Sequence, residues 1–302
     1  MSFDPILLAP EKEEKEIIPY RLVWRSAVTE IVILLALTAA ILIIMRVYKG
    51  SLADSQRRII GIGMALVPLS LWGLISYVGE RRAPQPRARI LTVVILTGLA
   101  ANAIGIPLVQ GFFAVDRWLS TASGIARILG YTLTAGIVQE FLKYLVMRYT
   151  VWPANFRTRS DGVAYAMAAG IGYATILNLN YVFNNAADPT GVALRVAEYT
   201  LSQLAISVVM GYYLAEVKLN RDANILWLPI ALLFGSLLTG LFITVRGGLI
   251  VGSISTATTA NNGVQGLGIA VFLVVVLFYS FYFLINNADE RTQLRSRPEF
   301  FQ

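Results

Sequence analysis

Gln139-Glu140-Phe141-Leu142-Lys143 sets a carboxylate and an ammonium three residues apart inside an otherwise oily run. That spacing places both on one face of a helix, close enough to pair. A charge at mid-bilayer costs about 2.5–3.5 kcal/mol on insertion scales, and pairing lowers this cost without abolishing it. Two readings of the pair stay open: an internal salt bridge that fixes helix packing, and the remnant of a catalytic motif. Arg195 and Glu198 repeat the spacing near the outer surface, where snorkelling to the interface accounts for them. Carboxyl-only proteolysis needs two acids that share a water. Glu140 is read as the one deep acid, so Glu198 would have to reach it between helices. A Ser–Lys dyad of Lys143 with Ser202 or Ser207 is a further route. The chain has neither His nor Cys. This excludes Ser-His-Asp triads, Cys-His dyads, haem and iron–sulfur ligation, disulfides and ordinary zinc sites. No metal and no cofactor are expected.

The elements that hold these residues follow from composition. Of 302 residues 56% are hydrophobic and 14% charged, with a mean hydropathy of +0.64. Soluble domains carry about 25% charged residues, so the chain reads as all-α, a polytopic membrane helix bundle whose first partner is the lipid bilayer. The formal charge of +7 is scattered between oily runs, the pattern of membrane flanks, and nucleic acid is not a partner. About eight transmembrane helices are expected, over residues 26–48, 59–78, 90–110, 128–147, 163–183, 193–217, 225–245 and 267–285. Residues 1–25 form a polar N-terminal segment with no cleavable signal peptide, 26–285 the membrane domain and 286–302 a polar tail. With both termini cytoplasmic, sixteen of the 25 Lys and Arg fall on inner pieces and eight on outer ones. The expected location is a prokaryotic cytoplasmic (inner) membrane.

The fifth segment is rich in small residues. Ala166, Gly170 and Ala174 recur every four positions, as do Ala168 and Gly172, which lets helix backbones approach closely in lipid. This predicts a buried central helix, in which Asn178 and Asn180 must find partners across the bundle. Residues 111–126 read as an interfacial or re-entrant helix. Residues 247–266 read as a mobile spacer, and Pro68, Pro107 and Pro229 as candidate helix breaks.

Gln139-Glu140-x-x-Lys143, then Asp161-Gly162, then Gly170-Ile171-Gly172-Tyr173-Ala174 leading to Asn178 and Tyr181, resemble the PrsW intramembrane proteases, which are related to the CAAX prenyl proteases. The resemblance runs over about residues 130–245. It implies a Glu-Glu acidic motif in which Gln139 replaces the first acid while Glu140 and Lys143 remain. It also implies a glutamate where Leu177 stands before Asn178, a histidine at Gln203 ahead of Gly211-Tyr212-Tyr213, and histidine and aspartate at Thr239 and Ile243. Metal-assisted hydrolysis needs ligands that yield hydroxide near neutral pH, and Leu, Ile, Gln and Thr are not such ligands.

The leading expectation is a catalytically inactive intramembrane-protease homologue, a pseudoprotease that binds or scaffolds transmembrane helices or serves as a subunit of a membrane complex. Glu140 and Lys143 are its remnant catalytic pair, with Gln139, Asn178, Tyr181, Gln203 and Thr239 as binding positions. An active peptidase using Glu140 and Lys143, and a transporter, stay open as alternatives.

Overall fold

A computed structural model describes residues 20–48, 50, 52–83, 86–185, 188–220, 223–246 and 260–296. Among them every regular element is a helix. The order is α1 (Tyr20–Val47), α2 (Asp54–Arg81), α3 (Ile90–Ala100), the short α4 (Val115–Trp118), α5 over residues 124–150, α6 (Arg159–Asn184), α7 (Pro189–Leu219), α8 (Trp227–Arg246) and α9 (Ala260–Ser296). Helix α2 contains a π-helical turn at Gly73–Tyr77, and α3 continues through two more, Ala101–Gly105 and Pro107–Phe112.

Seven of these helices are long and apolar enough to cross a membrane, and α5 is not among them. The reason is its own polar cargo: Arg127, Gln139, Glu140, Lys143 and Arg148 interrupt its apolar run. It nevertheless traverses the bundle. Near its start, Thr132 packs against Gly240 late in α8, and near its end the Thr150 carbonyl accepts a hydrogen bond from Arg89 at the head of α3. Eight long helices therefore run through the bundle, of which seven are apolar enough to cross a membrane where about eight are expected.

Helices α6 and α7 sit innermost, and glycine explains why. A methyl group on Gly162 would overlap the Gly211 carbonyl oxygen, and one on Gly211 would overlap that of Gly162. One turn or two further, Gly170 faces the Gln203 carbonyl, while Gly172 faces Val94 of α3 on another side. The two small-residue series thus serve two different neighbours. Asp161 starts α6 by accepting from the Arg157 and Thr158 backbone N–H groups at 2.8 and 2.7 Å, and Asp188 starts α7 ahead of Pro189.

Several expectations change. The interfacial helix shrinks to Val115–Trp118, with Leu119 fully buried against Gly130 while Phe112 and Trp118 remain exposed. Of the spacer, residues 247–259 lie outside the described residues, and 260–266 are already helical within α9. Helix α9 continues past residue 285 to Ser296, and Asp289 on it receives Arg159 at 2.7 Å. Pro68 and Pro107 lie within unbroken helical stretches and Pro229 in the first turn of α8, so the mid-membrane breaks that a transporter reading looks for are absent at these prolines. Of the expected polar N-terminal segment, residues 1–19 lie outside the described residues, and 20–25 are already helical within α1.

Candidate functional site

Three helices bring polar side chains to one buried point, and a fourth lies beside it. Within α5 the chain passes through a π-helical turn, Thr132–Gly136, before regular helix resumes at Ile137. The extra residue in that turn changes the phase of everything after it. Gly136 packs backbone to backbone on Ser236 of α8, and Gln139, Glu140 and Lys143 all turn inward. Glu140 is 1% exposed and Lys143 fully buried.

The Lys143 ammonium spends all three donors. It donates to Glu140 Oε1 at 2.6 Å, to Gln203 Oε1 at 2.9 Å and to Ser207 Oγ at 2.8 Å. Gln203, with its carbonyl oxygen so occupied, turns its Nε2 to Gln139 Oε1 at 2.7 Å. Ser207 Oγ in turn donates to the Gln203 backbone carbonyl at 2.6 Å. Thr239 of α8 donates to Glu140 Oε1 at 3.4 Å. Tyr173 of α6 lies beside the cluster, with Lys143 Nζ 6.0 Å from its ring centre. The second carboxylate oxygen, Glu140 Oε2, is buried and has no hydrogen-bond partner, and it faces the bare Cα of Gly235.

The arrangement brings together Gln139, Glu140, Lys143, Gln203 and Thr239, and of the two serines considered for a dyad it brings Ser207. Others fall elsewhere. Ser202 donates to the Tyr199 carbonyl, while the three donors of Lys143 go to Glu140, Gln203 and Ser207. Leu177 packs with Val138, Leu142 and Tyr173 in a separate apolar cluster, and Ile243 packs against the main core. Asn178 reaches Thr200 at 3.4 Å, leaving its Oδ1 without a partner, and Asn180 bonds Asn184 of its own helix rather than crossing the bundle. Tyr181 belongs to a second polar cluster with Arg195, Tyr199, Glu198 and Arg246.

Two expectations about buried acids are corrected. Glu198 does not snorkel: it is fully buried and pairs with Arg246 at the end of α8, a partner too distant in sequence for local spacing to reveal. Nor is Glu140 the one deep acid, since Glu30 of α1 is also buried and accepts from Ser76 in the π-helical turn of α2.

Could the central residues hold a catalytic metal? A hydrolytic zinc needs three protein ligands, drawn mainly from imidazole, thiolate and carboxylate, with an open position for water. The chain has no His and no Cys. Among the described residues no three acids lie close enough to substitute. What the site offers is one spare carboxylate oxygen and one hydroxyl, with a fixed ammonium 2.6 Å from the other oxygen of the same carboxylate. Those residues do not fit the group. A Ser–Lys dyad has the right contact, Nζ to Oγ at 2.8 Å, but its protons run the wrong way for a resting general base. Glu140 keeps the ammonium company, and the serine proton goes to a backbone carbonyl.

Comparison with known proteins places this geometry in context. A family model described as "PrsW family intramembrane metalloprotease" matches residues 85–281, a wider stretch than the motif resemblance covers. "Protease PrsW" of Bacillus subtilis is 32% identical over 112 residues, 36% of this chain and 50% of that protein. "Protease PrsW" of Halalkalibacterium halodurans is 28% identical over 137 residues, 45% of this chain and 57% of the relative. The chain thus spans about half the length of the curated relatives it matches. No solved structure matches.

Proposed function

For a chain that belongs to the PrsW family of intramembrane metalloproteases, we propose a non-hydrolytic role: a pseudoprotease of the membrane that binds and scaffolds the transmembrane helices of other proteins. The observation that carries this reading is the donor set at the central site. Glu140 is tied to Lys143, Gln203 stands as an amide, and no nitrogen or sulfur ligand is within reach. Helix binding is the part of an intramembrane protease's work that survives removal of the hydrolytic step. Glu140 Oε2, buried and unsatisfied, offers an acceptor to a donor on an incoming helix.

The test uses the purified full chain and defined single-span substrates. No stoichiometric transition metal and no cleavage are expected, while a photo-crosslinker at the exposed Phe141, beside Glu140 on α5, captures the substrate intact. Metal-dependent cleavage that Glu140→Gln abolishes overturns the reading. The 2.8 Å contact of Lys143 with Ser207 favours one second reading, a metal-free peptidase with Ser207 as nucleophile. Covalent labelling by a fluorophosphonate probe, lost in Ser207→Ala, would establish that alternative instead.

A further inference from the structure

The second polar cluster has one positive charge more than it can use. Glu198 is shared between Arg246, which it pairs with, and Arg195, which lies on its own helix one turn earlier. Arg246 also reaches Tyr199 Oη at 3.4 Å. Arg195 makes no ion pair among the described residues. Its guanidinium lies between two rings instead, 4.0 Å from the centre of Tyr181 and 4.3 Å from that of Tyr199, and its Nε is buried without a hydrogen-bond partner. Stacking fixes the plane of the fork before any ligand arrives. The side chain is only partly buried, as are both tyrosines, so the group is preorganised and reachable.

Depth identifies what can reach it. Tyr181 lies one turn before the end of α6 at Asn184, and Arg195 in the second turn of α7, which begins at Pro189, so the cluster is level with the ends of two membrane-spanning helices. That is the headgroup layer of the bilayer rather than its oily core. Helix α9 closes the other side: Gly266 packs directly on the Glu198 carboxylate and Arg246 stem, and Gly263 on Leu194. At this level the abundant anion is the lipid phosphodiester, with one negative charge against the single unmatched positive charge of the cluster.

We propose that Arg195, held between Tyr181 and Tyr199 beside the Arg246–Glu198 pair, binds the phosphodiester of an anionic phospholipid. An Arg fork matches phosphate oxygens bidentately, and the part of the Arg195 side chain that is not buried is what a headgroup can meet. A zwitterionic choline lipid fits poorly, because it brings its own cation to a site that already holds two.

Lipid retention by the detergent-purified full chain, read by native mass spectrometry, tests this. Phosphatidylglycerol is expected to be retained about tenfold over phosphatidylcholine of the same acyl chains, the scale of placing one further cation beside the two arginines. Arg195→Gln is expected to erase the preference, and Arg195→Lys to weaken it, since an ammonium keeps the charge but not the planar fork. The proposal falls if wild type shows no preference, or if either variant retains it in full. It falls equally if inorganic phosphate displaces the lipid at matched concentration, which would mark a site for soluble anions.

Discussion

At the residue scale, the central ion pair illustrates how a buried charge survives in a membrane protein. Neither Glu140 nor Lys143 has water to fall back on, and each takes its solvation from the other and from amides and hydroxyls on neighbouring helices. Removing one partner of a buried pair typically costs about 3–5 kcal/mol, because the remaining charge is left uncompensated, whereas replacing both by uncharged groups of similar size is often close to neutral. Lys143→Met and Glu140→Gln are each expected to lower the thermal midpoint sharply in mild detergent, and the double variant to recover most of the loss. Independent, additive losses would mean that the pair is not the unit that stabilises this site. A sequence reader sees the Glu140–Lys143 spacing and can infer contact. Spacing alone does not choose between Ser202 and Ser207 as the serine that meets Lys143, nor show that Gln203 accepts from it, because these residues lie about 60 positions away on another helix.

At the element scale, close backbone approach organises the centre of the bundle. The four-residue recurrence of Ala and Gly identified α6 as the central helix from sequence, and α6 is buried along most of its length. Which small residue meets which neighbour was not legible, since the recurrence reports a stripe and not its partner. Nor could a simple 3.6 periodicity foresee the π-helical turn at Thr132–Gly136, which aims the polar residues of α5. The contact between Gly162 and Gly211 is the tightest to test. A methyl at Gly211 meets the Gly162 carbonyl and the Ala166 side chain, and neither can move without spreading the helices. Gly211→Ala is therefore expected to destabilise by about 1–3 kcal/mol. Gly63→Ala in α2, where nothing lies within 4 Å, should be neutral or gain up to about 1 kcal/mol from helix propensity. Thermal melts of the two variants side by side separate close approach from a general intolerance of alanine.

At the scale of the whole molecule, the charged clusters sort to the two ends of the bundle. Arg87 binds Glu80 and Asp161, and Arg159 binds Glu216 and Asp289, which gathers the end of α2, the start of α6 and the ends of α7 and α9. Trp24 at the start of α1 packs on Phe278 and Tyr282 of α9 near that same end. The Glu198–Arg246 pair lies toward the other. The first and last helices thus have their outer chain ends on one side, which requires an even number of crossings. Seven helices are apolar enough to cross, and α5 is the expected eighth crossing. Charge counting predicts that the side with Arg87 and Arg159 is cytoplasmic, since basic residues concentrate in cytoplasmic connections. Alkaline phosphatase inserted after Gly50 and after Asn185 is therefore expected to be active at both positions, and a fusion after Asn220 inactive. With only seven crossings, everything beyond α5 would invert, and the insertions after Gly50 and Asn185 would report opposite sides. Opposite activities at those two positions would remove α5 from the membrane and, with it, the reason for treating Glu140 and Lys143 as intramembrane charges at all.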